Sequence, residues 1–481
     1  MSTPSSKAQP EAIVIGSGPN GLAAAIELAR NDVEVLVLEA ADEIGGGTRS
    51  AELTLPGFLH DVCSAVHPMG ILSPFYRQLP LETHGLEWVK PQASVAHPLD
   101  GQDAVMIYRS LDRTADELGR DGRNYRRLIE PLMRDVHGLL ADAMAPLRIP
   151  QHPIQMGRFG LRAAFSANRL AKLLFRDARA RALIAGCAGH SVLPLTQPLT
   201  AALATLFALT AHVEDWPVAR GGSQSIGRAL ASYLESLGGQ IETGHRVTRL
   251  DALPPAPVVL FDTSPEQLST IAGTALPPGY RRRLGRYRYG PGAFKLDWAL
   301  DGPIPWRDPR CLEASTVHVG GSLEEIAASE RDMYAGRLSD RPYLIVCQQS
   351  QFDDSRAPAG QHTGYAYCHV PPGCDVDRTE VVEAQIERFA PGFRDRILAR
   401  HAMGPSEWEA HNPNYKGGAI TGGVADALQL FNRPVTRLDP YSTPNPRLFI
   451  CSAASPPGGG VHGLGGYWAA RSALRRLGRN A

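Results

Sequence analysis

Residues 12–15 (AIVI) form a short branched apolar run with no polar alternation. Such a run predicts a strand buried on both faces of a parallel sheet. A glycine-rich stretch follows, 16–21 (GSGPNG), and then an alanine-rich segment, 22–30, that predicts a helix. A second apolar run, 33–38 (VEVLVL), ends at Glu39. The pattern returns near the other end of the chain. There a strand-like 447–452 (RLFICS) leads through a glycine-rich loop, 453–466, into a helical 467–477. Between the two units, 124–137 and 157–185 read as helices. In the second of these, Phe159, Leu161, Phe165, Leu170, Leu173 and Leu174 form a candidate apolar face. Arg158, Arg162, Arg169, Lys172, Arg176, Arg179 and Arg181 set positive charge beside it. The segment reads as a helix pair packed on its own core with a solvated basic face, the preferred reading, or as an amphipathic surface that touches membrane or guards a lipid entrance.

The glycines carry candidate chemistry. Gly16 allows a tight strand-to-helix turn, Gly18 lets the backbone approach a pyrophosphate, and Gly21 lets the helix pack closely on the strand. The free N–H groups and positive dipole end of the helix would receive the phosphates. Glu39, 18 residues after Gly21, is spaced to bind a ribose diol, and its charge disfavours a 2′-phosphate and hence NADP. Gly45, Gly46 and Gly47, with Arg49 beyond them, suggest a second loop pressed against a bound ligand. The C-terminal glycine loop presents a further set of backbone N–H groups, so a long dinucleotide could meet both ends of the chain.

Three segments together carry a resemblance. They are AIVIGSGPNGLAAAIELARNDVEVLVLEA followed by EIGGGTRS (12–50), ARGGSQSIGRALASYLESLGGQIETGHRV (219–247) and RLFICSAASPPGGGVHGLGGYWAA (447–470). In combination they resemble the flavin amine oxidase and phytoene desaturase superfamily, and the PGGGVHG form is closest to its phytoene-dehydrogenase-like branch, which includes retinol saturase-like proteins. The resemblance implies an α/β fold. A Rossmann-type, glutathione reductase-like FAD-binding domain would take residues 1–74, 214–265 and 441–481, and a discontinuous α+β substrate domain 75–213 and 266–440. It implies FAD as the cofactor. Gly16, Gly18 and Gly21 would cradle the pyrophosphate, and Glu39 would bind the adenosine ribose. Gly46, Gly47 and Arg49 would lie along the pyrophosphate or flavin. Val247 would meet the adenine region through its backbone, and Gly459, Gly460 and Val461 would approach the flavin ring and ribityl chain. The family's β-meander after Val247 is trimmed here to RLDALPPAPVV.

Catalytic candidates follow from the same resemblance. GAFKLDWALDGPIPW (292–306) is similar to the amine oxidase strand whose lysine contacts a water beside flavin N5, and Lys295 takes that place. Its alternative reading is a lysine that snorkels to the surface. His60, Asp61, His67 and His462 are candidate proton handlers, since histidine titrates near working pH. The expected function is an FAD-dependent dehydrogenase or desaturase that acts on a hydrophobic, isoprenoid or polyene-like small molecule by hydride transfer to flavin N5. Amine oxidation and redox-neutral double-bond isomerisation are the enzymatic alternatives. A prenyl-protein escort that binds lipid without flavin catalysis is the non-enzymatic one, and the complete glycine–Glu39 set opposes it.

Composition narrows the remaining classes. The chain has 481 residues, 43% hydrophobic and 20% charged, enough for more than one globular core. Lys+Arg and Asp+Glu both number 49, so no basic surplus points to nucleic acid, and the zero net charge permits a homo-oligomer. Seven scattered cysteines without a Cys-x-x-Cys fit a reducing compartment. The polar 1–10 stretch lacks a secretory apolar region, and no apolar run reaches the ~18 residues of a membrane span. The expectation is a cytoplasmic protein, soluble or at most membrane-associated at the periphery. Cys368, His369, Cys374 and His362 lack zinc-finger spacing, so no metal site is expected. Neither a nucleophile elbow, a His-Glu-x-x-His nor a P-loop is present.

Overall fold

The computed structural model describes residues 9–479, so the first eight residues of the polar 1–10 stretch lie outside it. The strands of its two main sheets are, in chain order, β1 (Ala12–Ile15), β2 (Val35–Leu38), β3 (Ala93–Leu99), β4 (Gln102–Ile107), β5 (Gln240–Glu242), β6 (Val258–Phe261), β7 (Gly292–Leu300), β8 (Ala314–Val319), β9 (Leu344–Cys347), β10 (His362–Val370), β11 (Ile397–Met403) and β12 (Leu448–Ile450). The helices that bear on the site are α1 (Pro19–Ala29), α2 (Gly122–Met133), α3 (Val136–Ala143), α4 (Pro153–Ala163), α5 (Ala167–Leu174), α6 (Ala178–Gly189), α7 (Thr200–Glu214), α8 (Gln224–Ser236), α9 (Ala427–Asn432) and α10 (Leu464–Arg476).

The first sheet is parallel throughout, in the order β12-β6-β1-β2-β5. Ala12 and Val14 enter one core and Ile13 and Ile15 the other, which explains the unalternated run of β1. Pro19 opens α1 behind Gly18, where its missing N–H leaves no hydrogen bond unmade. At the other end of the chain, α10 starts at Leu464, three residues before the predicted helix. Gly465 and Gly466 fill its first turn and let it lie against α1. A Cβ on Gly466 would fall on the Asn20 carbonyl oxygen, closer than real Cβ contacts allow. The two glycine-rich turns, one from each end of the chain, are thereby brought side by side.

The second sheet runs β11-β7-β10-β9-β8-β3-β4 and is antiparallel except for the β8–β3 pair. Alternation along β10 sends Ala366, Cys368 and Val370 into a core with Trp298. Tyr365, Tyr367 and His369 point to the opposite face. Register places Lys295, Tyr367, Ile345 and His318 in one row across that face.

The helical stretch expected over 157–185, read as a helix pair, is three helices, α4 to α6. Ser166 caps α5 by accepting the Arg169 N–H, and Asp177 caps α6 by accepting that of Arg179. Phe159 and Leu170 are buried, whereas Leu161 is 75% and Leu173 67% exposed, so the six apolar residues do not share one face. The expected helix over 124–137 likewise divides between α2 and α3. Beyond Val247 a 3-10 turn at Leu250–Ala252 is all that precedes β6. Among the described residues no helix is long and apolar enough to cross a membrane, and no His, Cys, Asp and Glu group could hold a metal ion. All seven cysteines are free.

Candidate active site

A groove of about 430 Å³ lies across the carboxyl ends of the first sheet. Gly16 follows β1, Glu39 follows β2, Asp262 follows β6, and all three line it. This is the crevice in which open parallel sheets bind ligands. Gly18, Gly46, Gly47, Arg49 and Val247 line the same groove, and so do Gly459, Gly460 and Val461. Gly21 stands behind it, with its N–H donated to Asp262 Oδ2 at 2.9 Å. Glu39 is held rigidly. Its Oε2 accepts the N–H and hydroxyl of Ser17 at 2.8 and 2.6 Å, and its Oε1 accepts the Ala41 N–H at 2.9 Å. The Arg49 guanidinium stands 3.8 Å from Oε1.

A second cavity of about 480 Å³ adjoins the groove. Cys63, Ser64, Tyr289, Ile420, Gly459, Gly460 and Val461 line both and form the common wall. Away from that wall the lining is mainly apolar, with Met69, Leu203, Phe207, Trp216 and Ile345 prominent among a few histidines, hydroxyls and Arg433. Among the described residues no aspartate or glutamate lines this chamber, and Arg433 is its one Lys or Arg.

Comparison with known proteins accords with this arrangement. Residues 14–79 match a family described as an NAD(P)-binding Rossmann-like domain. The chain is 25% identical over 555 residues to the rat pyridine nucleotide-disulfide oxidoreductase domain-containing protein 2, covering 98% of this chain and 94% of that one. It is 27% identical over 425 residues to the phytoene dehydrogenase of Streptomyces griseus, covering 80% and 77%. In fold it is similar to wild-type putrescine oxidase, with a TM-score of 0.61 at 17% identity over 98% of this chain and 99% of that one. Residues 14–79 thus carry the Rossmann-like match, and along most of its length the chain is similar to a phytoene dehydrogenase and a hydroxyneurosporene desaturase, and in fold to an amine oxidase.

The groove fits FAD. Arg49 Nε is buried with no hydrogen-bond partner among the described residues, as expected of a group that awaits an acceptor. A Cβ on Gly46 would stand 3.0 Å from Gly18 Cα, and one on Gly18 would stand 2.6 Å from Asp262 Oδ2, so neither position takes a side chain without displacing the close-packed turns that line the groove. The phosphates would lie among Gly16, Gly18, Gly46 and Arg49, the adenosine at Glu39 and Val247, and the flavin end at Gly459–Val461, against the second cavity.

Asp262 escapes the sequence reading, although LFDTSP places it first after a strand, at the mouth of the crevice. Burial pushes its carboxyl up to about 7, and the nearby Glu39 charge adds to this; the N–H groups of Gly21 and Gly18 oppose it. The folded chain therefore keeps a proton that the unfolded chain has lost. Stability from this group is complete below the ordinary carboxylate range and is lost as pH rises towards 7. An ionised Asp262 also opposes the phosphates. FAD affinity is expected to fall as pH rises through 7, by up to about tenfold per pH unit. Asp262→Asn should flatten that profile, which FAD titration of the apoprotein from mildly acidic to mildly alkaline pH would measure.

Lys295 is fully buried and does not reach the surface. Its Nζ donates to Asp297 Oδ2 at 2.6 Å and to the Asp61 carbonyl at 2.9 Å, and it lies 4.4 Å from the Tyr365 ring centre. It lines neither cavity. Tyr365 does line the chamber, and donates its hydroxyl to the Cys63 carbonyl in the common wall. His60 and Asp61 also lie outside both cavities. His60 Nε2 meets Thr54 Oγ1 at 2.8 Å, and burial lowers its pKa to about 4. Burial alone would raise Asp61, but Arg356, the Ser223 N–H and Ser50 together hold its carboxyl below the usual range. His67 and His462 line the chamber, each lowered to about 4 by burial. His67 Nε2 is bonded to Ser223 Oγ at 2.8 Å.

His190 is a chamber residue without a sequence signal. Its Nε2 lies 2.8 Å from Nε2 of His318, and its ring meets Phe207 and Trp216 edge-on. Burial lowers its pKa to about 3, so it is neutral in the resting protein.

Proposed function

We propose that the protein oxidises or desaturates a hydrophobic substrate, isoprenoid or polyene-like in character, held in the chamber with its reacting carbon at the common wall. One observation carries this reading: a largely apolar chamber, with no carboxylate among its described lining residues, shares a wall that includes Gly459 and Gly460 with the flavin end of the groove. FAD bound in the groove supplies a two-electron hydride acceptor. The chain supplies everything else. Its apolar walls bind a hydrocarbon and exclude water, and Phe207 and Trp216, in edge contact at 5.3 Å, stiffen one side. When a neighbouring C–H bond breaks, its hydrogen leaves as a proton. His462 does not suit that proton, because the Leu464 N–H donates to its Nδ1 at 3.1 Å and leaves the neutral ring with its hydrogen on Nε2. His190 lines the chamber with its Nε2 bonded to His318 Nε2, and burial keeps both rings neutral, so a proton taken up there is held only transiently.

The chamber also weighs against an amine substrate. An ammonium group there would find no carboxylate among the described lining residues and would meet the Arg433 charge. Anaerobic mixing of the yellow holoprotein with polyenes, retinoids, fatty acids and amines tests the reading by flavin bleaching. Bleaching by members of the apolar classes is the expected result, and bleaching by amines alone would overturn it.

A further inference from the structure

Arg433 is 2% exposed and lines the chamber just beyond α9. Its hydrogen bonds go to backbone carbonyls: Nη1 to Ala453 at 3.3 Å, and Nη2 to Gly423 at 3.4 Å and Val424 at 2.8 Å. Its Nε has no partner among the described residues. Carbonyls satisfy N–H groups but carry no net charge, so among the described residues the guanidinium is a buried cation without a counter-ion. Such a charge is costly to fold around unless something neutralises it. The surroundings accommodate the group closely, since a Cβ on Gly458 would stand 2.5 Å from Nη1. The chamber itself supplies no anion, because no carboxylate lines it among the described residues.

We infer that the substrate is an apolar chain that ends in a carboxylate, and that Arg433 is the group that receives it. Three of the five N–H hydrogens of the guanidinium go to carbonyls, which leaves those on Nε and the second of Nη1, with the full positive charge, for a carboxylate. The charged end would be held at Arg433, with the chain lying along the apolar lining of Leu203, Phe207 and Ile345. Specificity follows from the same arrangement. An alcohol of equal length fills the same apolar volume but leaves the cation uncompensated, and an amine adds a like charge. The inference rests on the chamber being the substrate site, and it adds the chemical class of the substrate's end group.

The test compares dodecanoate with dodecanol on the wild-type holoprotein, read by tryptophan emission and by the flavin difference spectrum. The acid is expected to bind at least about tenfold more tightly than the alcohol, the range of a charge-assisted hydrogen bond. Arg433→Gln, if it keeps the flavin spectrum, should lose that preference while still binding the alcohol, and Arg433→Lys should retain part of it. Equal affinities in the wild type would overturn the inference, leave the chamber reading standing and assign Arg433 to tying its loops together. Failure of both ligands to perturb either signal would overturn the chamber reading as well. Should Arg433→Gln not yield holoprotein, the wild-type pair decides.

Discussion

Gly21→Ala is expected to purify as a colourless protein with an FAD affinity lowered by about 100-fold or more. The added Cβ would fall on the carbonyl oxygen of Gly16, and Asp262 Oδ2 would stand 3.0 Å away on its other side. Neither neighbour can give way cheaply, since one is backbone at the strand-to-helix turn and the other accepts the N–H of Gly21 itself. The α1 N-terminus would have to move off β1 and carry Gly18 with it, and the phosphate-binding N–H groups would lose their alignment. The ratio of flavin to protein absorbance after purification measures this directly, and FAD titration of the apoprotein gives the affinity. A fully yellow Gly21→Ala protein would contradict the packing described for the turn.

Arg356→Met is expected to cost about 3–5 kcal/mol of stability near neutral pH. Arg356 is fully buried and binds Asp61 Oδ2 at 3.0 Å, Asp353 Oδ2 at 2.7 Å and the Ala219 carbonyl at 2.9 Å. It joins three parts of the chain: the hairpin strand Leu59–Asp61, the segment before α8, and the loop before β10. Methionine fills much of the volume but leaves Asp61 buried without its cation and Asp353 with only the more distant Arg220, 3.7 Å from its Oδ1. In the wild type both carboxyls are held below the usual range, so their contribution is present above the ordinary carboxylate pKa and is lost as pH falls through the depressed values. In the variant that depression is weakened, with the Ser223 and Ser50 bonds to Asp61 and the Ser355 and Gly221 bonds to Asp353 still in place. The deficit should therefore be largest near neutral pH and should shrink below about pH 4, where the carboxyls accept protons instead. Urea unfolding at neutral and acidic pH measures the difference. A deficit that does not change with pH would show that lost packing, not unpaired charge, is responsible.

The cofactor half of the molecule was legible because its chemistry is written in the backbone. Phosphates need N–H groups at close approach, and only glycine gives that approach, so Gly16, Gly18 and Gly46 could be read without knowing what packs against them. The chamber half was less legible because its chemistry is written in contacts far apart along the chain. Lys295 shows the difference. The alternation of GAFKLDWAL puts Asp297 on the same side of the strand, yet resemblance pointed to a flavin-side role and not to the buried ion pair that takes up its Nζ. Arg433 and His190 gave no signal, since their meaning lies in what the chamber lacks and in His318, 128 residues away from His190. The helix pair expected over 157–185 divides into three helices for a local reason. Its apolar spacing runs on through Ser166 and Asp177, whose side chains cap new helices and turn the chain.

The most direct test is anaerobic flavin reduction by the panel's active polyene or fatty acid, followed in wild type and in Ala202→Trp side by side. Ala202 lines the chamber and lies outside the groove, so the indole would fill the substrate space and leave the FAD residues in place. The account predicts a yellow variant whose flavin is no longer bleached. A variant bleached at the wild-type rate would place the hydride donor elsewhere and contradict the assignment of the chamber.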